Sequence, residues 1–425
     1  QNEKPTAWIY ELVISWYLNR KCHHQAKIWL AKAHEKRLET PKWQEIVLAL
    51  EENDTKKLEA ILLDGSKIDL ENKVAILSKL NRRQEALHQA EIGIDHNYGY
   101  AQSSTAKTQV ASLKQDFPAY WDTGYATTFS DQLESRKAYA NGRYSLATKP
   151  IGFDIKVKNI QYDSPIYIID DRKQVDDLAL TTFLGDGRHG GNIAVGLNHN
   201  DVDDIGYGQL EYHLEFGKEI IGQLKGTIHS VPDVDSILQL ATLQNRLDAI
   251  LSGTLAMNYY YYLDLWEREY STRNDNLVTR GFGGTTEVGF KQDWGRFSWQ
   301  AGVQGNFEYN YDRRLPNDLV AMIPDEYTLD DVIARKTASL LVGGRISRGA
   351  IRENYPLTGS IRYFTSAWIG QTWPQDKLAV NLEAGSGIRV FGNDELSLQI
   401  FSNQSGGVVG RNDNNGISLV YRYYY

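Results

Sequence analysis

The stretch Phe297-Ser298-Trp299-Gln300-Ala301-Gly302-Val303-Gln304-Gly305-Asn306-Phe307-Glu308-Tyr309-Asn310-Tyr311 decides the fold. Apolar and aromatic residues occupy the odd positions, apart from Gly305, and polar or small residues the even ones. An extended strand points the two sets to opposite faces. The run is far longer than the ~5 to 6 residues usual in a soluble sheet. The same period of two returns in Leu210, Tyr212, Leu214 and Phe216 against Glu211, His213 and Glu215. It returns again in Ala338, Leu340, Val342, Gly344 and Ile346 against Ser339, Arg345 and Ser347, and in Leu378, Val380, Leu382 and Ala384 against Asn381 and Glu383. One face of each segment is greasy and the other wet.

A soluble all-β sandwich also alternates, but with shorter strands. A membrane-spanning strand needs about 9 to 11 residues and carries Tyr and Trp at the rims of its apolar band. Trp121, Tyr125, Phe129, the run Tyr259 to Tyr262, Tyr309, Tyr311, Trp373, Tyr421, Tyr423 and Tyr425 cluster near strand ends, as such a girdle requires. Strands are expected at 119–130, 135–147, 151–162, 174–185, 190–200, 204–217, 219–230, 246–257, 259–271, 278–291, 294–311, 335–348, 358–373, 377–391, 395–403 and 415–425. The count is sixteen, and an even number returns the last strand to the side of the first. One side is expected to carry short turns, at Lys149-Pro150, Gly217-Lys218, Asp293-Trp294-Gly295 and Phe391-Gly392-Asn393-Asp394. The other carries long connections, notably Asp312 to Ala334 and Asn403 to Asn414. In lipid the backbone polar groups must all pair, so the last strand should close on the first, Tyr120 to Ser130.

Working outward, composition divides the 425 residues in two. Of 36 glycines only Gly65, Gly93 and Gly99 precede residue 101, and 22 of 26 tyrosines follow residue 100. Residues 1–100 are neutral, with 15 basic and 15 acidic side chains, so the net charge of −8 belongs to the remainder, 31 basic against 39 acidic. That acidity argues against a nucleic-acid partner, which needs a basic face. The lone Cys22 excludes an internal disulfide and a paired metal–thiolate site. There is no apolar run of about 18 to 20 residues for a spanning helix, and no leader pattern opens the chain. Gln1 is no initiator, so the sequence is expected to be cut from a longer protein.

Between Pro5 and His96 the period changes to three and four, as in Ile9, Leu12, Val13 and Trp16. Breaks at Arg20–His24, Thr40–Pro41, Asn53–Asp54, Gly65–Ser66 and Asn81–Arg82 divide the region into about six helices. Ala26 and Ala33, and Ala86 and Gly93, are small residues seven apart, a spacing that places them on one helix face where a partner helix approaches closely. The segment Leu80-Asn81-Arg82-Arg83-Gln84-Glu85-Ala86 resembles a tetratricopeptide (TPR) helix pair; a generic helical bundle is the plainer alternative. The fold class is thus α plus all-β: TPR-like helical repeats over 1–98, a linker over 99–118, and a 16-stranded antiparallel transmembrane β-barrel over 119–425.

No catalytic constellation emerges. Ser104-Thr105-Ala106-Lys107 has Ser-x-x-Lys spacing without companion motifs, and Gly281-Phe282-Gly283-Gly284 and Gly185 to Gly191 open no helix that could cradle phosphate. His23-His24 and the scattered histidines lack metal-ligand spacing, so no enzyme, cofactor or metal is expected. Strand parity assigns Glu211, Glu215, Asp264, Glu287, Glu308 and Glu383 to the pore lining, with Gln300, Gln304, Asn306 and Asn381. Carboxylates lower the energy of a cation in a narrow pore, and amides suit sugar hydroxyls. Arg143, Arg345 and Arg389 share that face and could pair with the acids. A second acidic set, Asp163, Asp170, Asp171, Asp201, Asp203, Asp204, Asp233 and Asp235, falls in outward loops. Leu319, Val320, Met322 and Ile323 lie in the Asp312 to Ala334 connection, which is long enough to fold inward as a plug.

TPR-like helices joined by a polar linker to a sixteen-stranded barrel resemble the PelB-like outer-membrane exporters of biofilm exopolysaccharides. The segment Phe391-Gly392-Asn393-Asp394-Glu395-Leu396 and the ending Tyr421-Arg422-Tyr423-Tyr424-Tyr425 look like that family's last strands. The resemblance covers most of the chain in architecture and its final third in residues. It implies a passive conduit in the bacterial outer membrane, in contact with its lipids, and periplasmic repeats that dock a modifying enzyme. It further implies a companion lipoprotein and, as cargo, a cationic amino-sugar polymer. Exporters of poly-N-acetylglucosamine and cellulose share the layout. So do surface-lipoprotein translocators, typically with fourteen strands and a lateral gate. A nutrient porin is a third alternative.

Overall fold

The computed structural model describes residues 7–425 apart from 21, 65–67, 81, 83–84, 91–108, 111–112, 115–118, 131, 147–150, 170–171, 186–188, 217–219, 233–235, 257, 295–296, 350, 353–360, 375, 392–393 and 405–413. The chain divides into two compact units between Asp116 and Phe117.

In the first unit the three-and-four spacing becomes helices α1 (Ala7–Asn19), α2 (His23–Glu35), α3 (Lys42–Glu51), α4 (Thr55–Leu63) and α5 (Leu70–Lys79), and residues 85–90 are helical as well. The starts of α3, α4 and α5 have local causes. Pro41 occupies the N-cap of α3, and Asn53 turns the chain with φ of 55°. The carboxylates of Asp54 and Asp69 accept from the N–H groups of Lys57 and Asn72, capping α4 and α5. Helices α1 and α2 pack through Tyr10, Ile14 and Leu18 against Ala26, Leu30 and Ala33. Both alanines are fully buried, as close helix approach demands; Gly93 lies outside the described residues. Outside this packing, Trp8, Leu12 and Trp16 form an exposed stripe along α1.

The second unit is a closed barrel of sixteen antiparallel strands, each hydrogen-bonded to its sequence neighbours, with the first pairing the last. The strands are β1 (Tyr120–Ser130), β2 (Glu134–Leu146), β3 (Ile151–Asp163), β4 (Gln174–Gly185), β5 (His189–Asn200), β6 (Asp204–Phe216), β7 (Ile220–Ser230) and β8 (Thr242–Ala256). They continue as β9 (Tyr259–Thr272), β10 (Leu277–Trp294), β11 (Phe297–Tyr311), β12 (Lys336–Arg348), β13 (Arg362–Trp373), β14 (Lys377–Ile388), β15 (Asp394–Gln404) and β16 (Asn414–Tyr424). The seam runs unbroken from Tyr120 opposite Tyr424 to Ser130 opposite Asn414. No backbone edge is left in the barrel wall, the condition for a sheet in lipid.

The outer face carries exposed Ile155, Leu180, Val195, Leu247, Val288, Val303, Ile369 and Leu419. Exposure of so much apolar surface is unfavourable in water and favourable in lipid. Trp121, Tyr144, Phe216, Tyr259, Trp294, Phe297 and Tyr423 stand outward near one end, hereafter the near end, which holds Tyr120 and Tyr424. Phe129 and Trp373 stand outward toward the opposite, far end. The expected tyrosine run splits by parity: Tyr260 and Tyr262 share the inner face with Asp264, while Tyr259 and Tyr261 do not.

Three expectations need correction. Strand β8 begins at Thr242 rather than 246, because Leu243 is buried despite its outward parity and hides the greasy–wet contrast. Asp293 and Trp294 belong to β10 rather than to the turn. Connection length does not segregate cleanly. The β12–β13 connection at the near end spans residues 349–361, and the far end has tight hairpins at β5–β6 and β13–β14.

Candidate functional site: the barrel interior

The glycines of this unit let large rings lie flat on the inner wall. A Cβ on Gly196 would stand 2.1 Å from the ring of Tyr207, and one on Gly283 would stand 2.3 Å from Trp266. Tyr207, so seated, donates to the Asp177 carboxylate at 2.8 Å, which also holds Lys158 Nζ at 2.6 Å. Trp266 lies beneath two guanidinium groups, Arg246 at 5.2 Å and Arg268 at 4.5 Å from the ring centroid.

Along the inner parity stand Glu211 and Glu215 of β6, Asp264 of β9, Glu287 of β10, Gln300, Gln304, Asn306 and Glu308 of β11, Arg345 of β12 and Glu383 of β14. Arg389, one residue beyond β14, keeps the same parity. Their partners are specific. Glu308 pairs with Arg268, and Glu287 accepts the hydroxyl of Tyr260 at 2.6 Å. Glu383 accepts the Gln399 amide at 2.5 Å. Asn306 accepts from Thr285 at 2.9 Å and donates to Ser339 at 3.0 Å. Glu211 stands opposite Lys225 in the ladder. Arg345 and Arg143 stack on the rings of Phe364 and Phe183, at 3.9 and 4.0 Å from their centroids.

Near-end charges interlock. Arg362 and Glu395, 2% and 1% exposed, pair at 2.5 Å, and Arg422 pairs with Asp122 at 2.6 Å across the β1–β16 seam. Arg352, in the β12–β13 connection, reaches back into the barrel. Its backbone N–H donates to Glu395 at 2.8 Å, and its guanidinium donates to Ser397 at 3.1 Å and Ser418 at 2.7 Å. The mutual contacts offset part of the desolvation cost of burying these charges.

At the far end three connections build an apolar cluster. Tyr167 and Ile169 come from β3–β4, Ile237, Leu238 and Leu240 from β7–β8, and Leu319, Met322, Ile323, Val332 and Ile333 from β11–β12. They pack on Tyr162, Val175 and Tyr270 of the barrel wall. Ile168 N–H donates to the Met322 carbonyl at 3.0 Å, and Arg172 reaches the Leu240 carbonyl at 3.3 Å. Burial pushes the phenols of Tyr167 and Tyr327 above their ordinary range. In the turn Leu329–Val332, Asp331 accepts from the Thr328 N–H at 2.8 Å and hydroxyl at 2.6 Å, and these bonds hold its carboxyl below the usual range. Of the plug residues expected from sequence, Leu319, Met322 and Ile323 are buried in this cluster, whereas Val320 is 43% exposed and points away from it.

The family model for the PelB C-terminal β-barrel domain matches residues 115–424. The chain belongs to this family. Among solved structures, a bacterial polysaccharide outer-membrane secretin is similar with a TM-score of 0.54 at 10% identity, over 73% of this chain and 99% of that one. Pseudomonas aeruginosa OccK11 (OpdR) gives a TM-score of 0.36 at 10% identity, over 72% and 95% of the two chains. An anion-selective porin from Comamonas acidovorans gives 0.34 at 10%, over 72% and 98%. At 10% identity the likeness to the secretin is one of fold. No curated protein matches the chain. The barrel is thus an outer-membrane β-barrel of the PelB C-terminal family.

The lining also holds charged residues not assigned from sequence: Asp122, Asp154, Asp177, Asp248 and Glu395 among the acids, and Lys137, Lys156, Lys158, Lys225, Lys291, Arg246, Arg268, Arg362 and Arg422 among the bases. Parity was the available signal, since exposed Ile155 and Val157 alternate with Asp154, Lys156 and Lys158. The wall therefore holds both signs and is not a purely acidic tube. Arg143 and Arg345 stack on aromatic rings, and Arg143 also stands opposite Asp154 in the ladder. Of the outer acids, Asp163, Asp201, Asp203 and Asp204 lie at the far end, where Asp203 pairs with Arg273 and Asp204 with His199 at 2.5 Å. Asp170, Asp171, Asp233 and Asp235 lie outside the described residues. Among the described residues no group of three or more His, Cys, Asp or Glu could hold a metal ion.

Proposed function

We propose that the barrel exports a biofilm exopolysaccharide of the Pel type, a cationic amino-sugar polymer, across the outer membrane. Support comes from one observation above the others: a member of the PelB barrel family closes into a sixteen-stranded cylinder with a charged, amide-rich and aromatic interior. Sugar hydroxyls exchange water hydrogen bonds for those of Gln304, Asn306 and Gln399, and ammonium groups exchange theirs for carboxylates. Glu211, Glu215, Glu287, Glu308 and Glu383 act as pore-lining acids, and the far-end cluster around Leu319, Met322 and Ile323 is the gate that opens for the polymer. The helices stand in the periplasm and dock a modifying enzyme and a companion lipoprotein. The unbroken seam from Tyr120–Tyr424 to Ser130–Asn414 favours a conduit along the axis over a laterally gated protein translocator.

Cells that make the polymer but lack this chain should retain it inside the outer membrane, and resupplying the chain should return it to the surface. Surface polymer at normal levels without the chain would refute the proposal. Replacing Glu211, Glu215, Glu308 and Glu383 together with Gln should lower surface polymer while the barrel still assembles. Should poly-N-acetylglucosamine or cellulose be the retained polymer, the conduit stands and the cargo changes.

A further inference from the structure

The inner wall is polarised from one side to the other. Strands β2 and β3 lie five to eight strands from β8, β9 and β10 in the sixteen-strand ring, which puts the two groups across the lumen from each other. On the first side Lys156 and Lys158 stand in the middle of β3, with Lys137 and Arg143 on β2, against Asp154 and the Lys158-bound Asp177. On the other, Asp248, Asp264 and Glu287 stand mid-strand on the consecutive strands β8, β9 and β10, with Lys225 of β7 opposite Asp248 in the ladder and Arg268 of β9 committed to Glu308. Arg246 serves both aspartates of this wall, Asp248 at 2.5 Å and Asp264 at only 3.8 Å. Carboxylate capacity is left over. Asp248, 4% exposed, keeps a buried Oδ2 with no hydrogen-bond partner, and Asp264 keeps a buried Oδ1 in the same condition. A buried carboxylate oxygen without a donor is costly, and a ligand ammonium would relieve it.

We propose that the lumen carries a transverse field, and that a cationic sugar chain is held in a lane along β8 to β10. In that lane its ammonium groups are received by Asp248, Asp264 and Glu287, and the lysine wall of β3 pushes it from behind. The assignment rests on the reading of the barrel as a polysaccharide conduit, and it makes the interior one-sided rather than uniformly acidic. Tyr262, which shares the inner face with Asp264 and Glu287, offers a hydroxyl for the sugar beside the charge. Lane residues exchange contacts as the chain slides, since several carboxylates of equal kind allow transfer without full release.

The test is calorimetric binding of a glucosamine oligomer, with an N-acetylglucosamine oligomer of the same length as the neutral control, to the full chain in detergent. The pH is one at which the amines are protonated. The wild-type chain should bind the cationic oligomer more tightly than the neutral one, and the preference should fall with salt. Asp264→Asn with Glu287→Gln should weaken binding by about tenfold or more, the loss expected for one or two charge-assisted contacts. Lys156→Gln should leave binding unchanged or tighten it. The D264N/E287Q pair spares the Arg246–Asp248 contact, so folding is preserved and is checked by heat-modifiable gel migration. Asp248→Asn is a second variant with the same expected direction. If the acid variants bind like wild type, or K156Q loses affinity as much as they do, the lane is wrong while the conduit stands. If neither oligomer binds, both the lane and the conduit reading fall.

Discussion

The two ends of the barrel are held together by different chemistry. At the near end, buried ion pairs join strands of the wall, with Arg422–Asp122 spanning the β16–β1 seam and Arg362–Glu395 spanning β13 and β15. At the far end, three connections meet through apolar side chains and a few backbone hydrogen bonds, outside the ladder of the sheet. Removing one partner of a buried ion pair strands the other charge, so a near-end contact cannot open gradually. Apolar loop contacts can part and reform, and local opening free energies are smallest where few ladder bonds hold a segment. The comparison assigns fixed geometry to the near end and movement to the far one.

The largest expected effect breaks the fixed end. Glu395→Ala leaves Arg362 buried and unpaired and should destabilise the barrel by about 3–5 kcal/mol, read from heat- or urea-driven unfolding in detergent; unfolding indistinguishable from wild type would remove the ionic account of that end. Next comes Leu319→Ala, which empties a fully buried site and should cost the far-end cluster about 2–5 kcal/mol. Hydrogen exchange in residues 312–335 should quicken while barrel unfolding stays put, and an equal loss in both would erase the distinction between the ends. A smaller effect follows pH. The Asp331 carboxyl is depressed in the folded state, so its cap on Thr328 stabilises the far-end turn above the ordinary carboxylate range and is lost as pH falls through the folded value. Exchange in that turn should rise with acid, and Asp331→Asn should abolish the rise. Smallest is Lys27→Ala. Its pair with Glu52 in the helical unit is exposed, and thermal unfolding should change by less than about 1 kcal/mol, which separates buried from exposed ion pairs as the source of near-end rigidity.

Period-two alternation made the barrel legible because lipid outside and water inside enforce the same contrast along every strand. The contrast failed at Leu243, which is buried despite its outward parity, and there the strand start lies four residues before the expected one. The far-end cluster was foreshadowed by the apolar content of the long β11–β12 connection. Its partners from β3–β4 and β7–β8 were not, since nothing local marks Tyr167 or Leu240 for contact with Met322. The near-end network was equally hidden: Asp122 and Arg422 meet only because the cylinder closes. Pore acids were read where they interrupted strongly apolar runs. Lys156 and Lys158 obey the same rule beside Ile155 and Val157 and went unread, which concealed the two-sided charge of the lumen.

The central claim is that lipid wets one face of each strand and water the other, and the adjacent residues Val303 and Gln304 test it most directly. In a chain with Cys22 replaced by Ser, single cysteines are placed at each position and the protein is labelled in membranes. Gln304→Cys should react with a charged, water-borne maleimide and Val303→Cys only with a membrane-soluble one. Equal labelling of the two by the charged reagent, or the reverse preference, would contradict a water-filled cylinder in lipid.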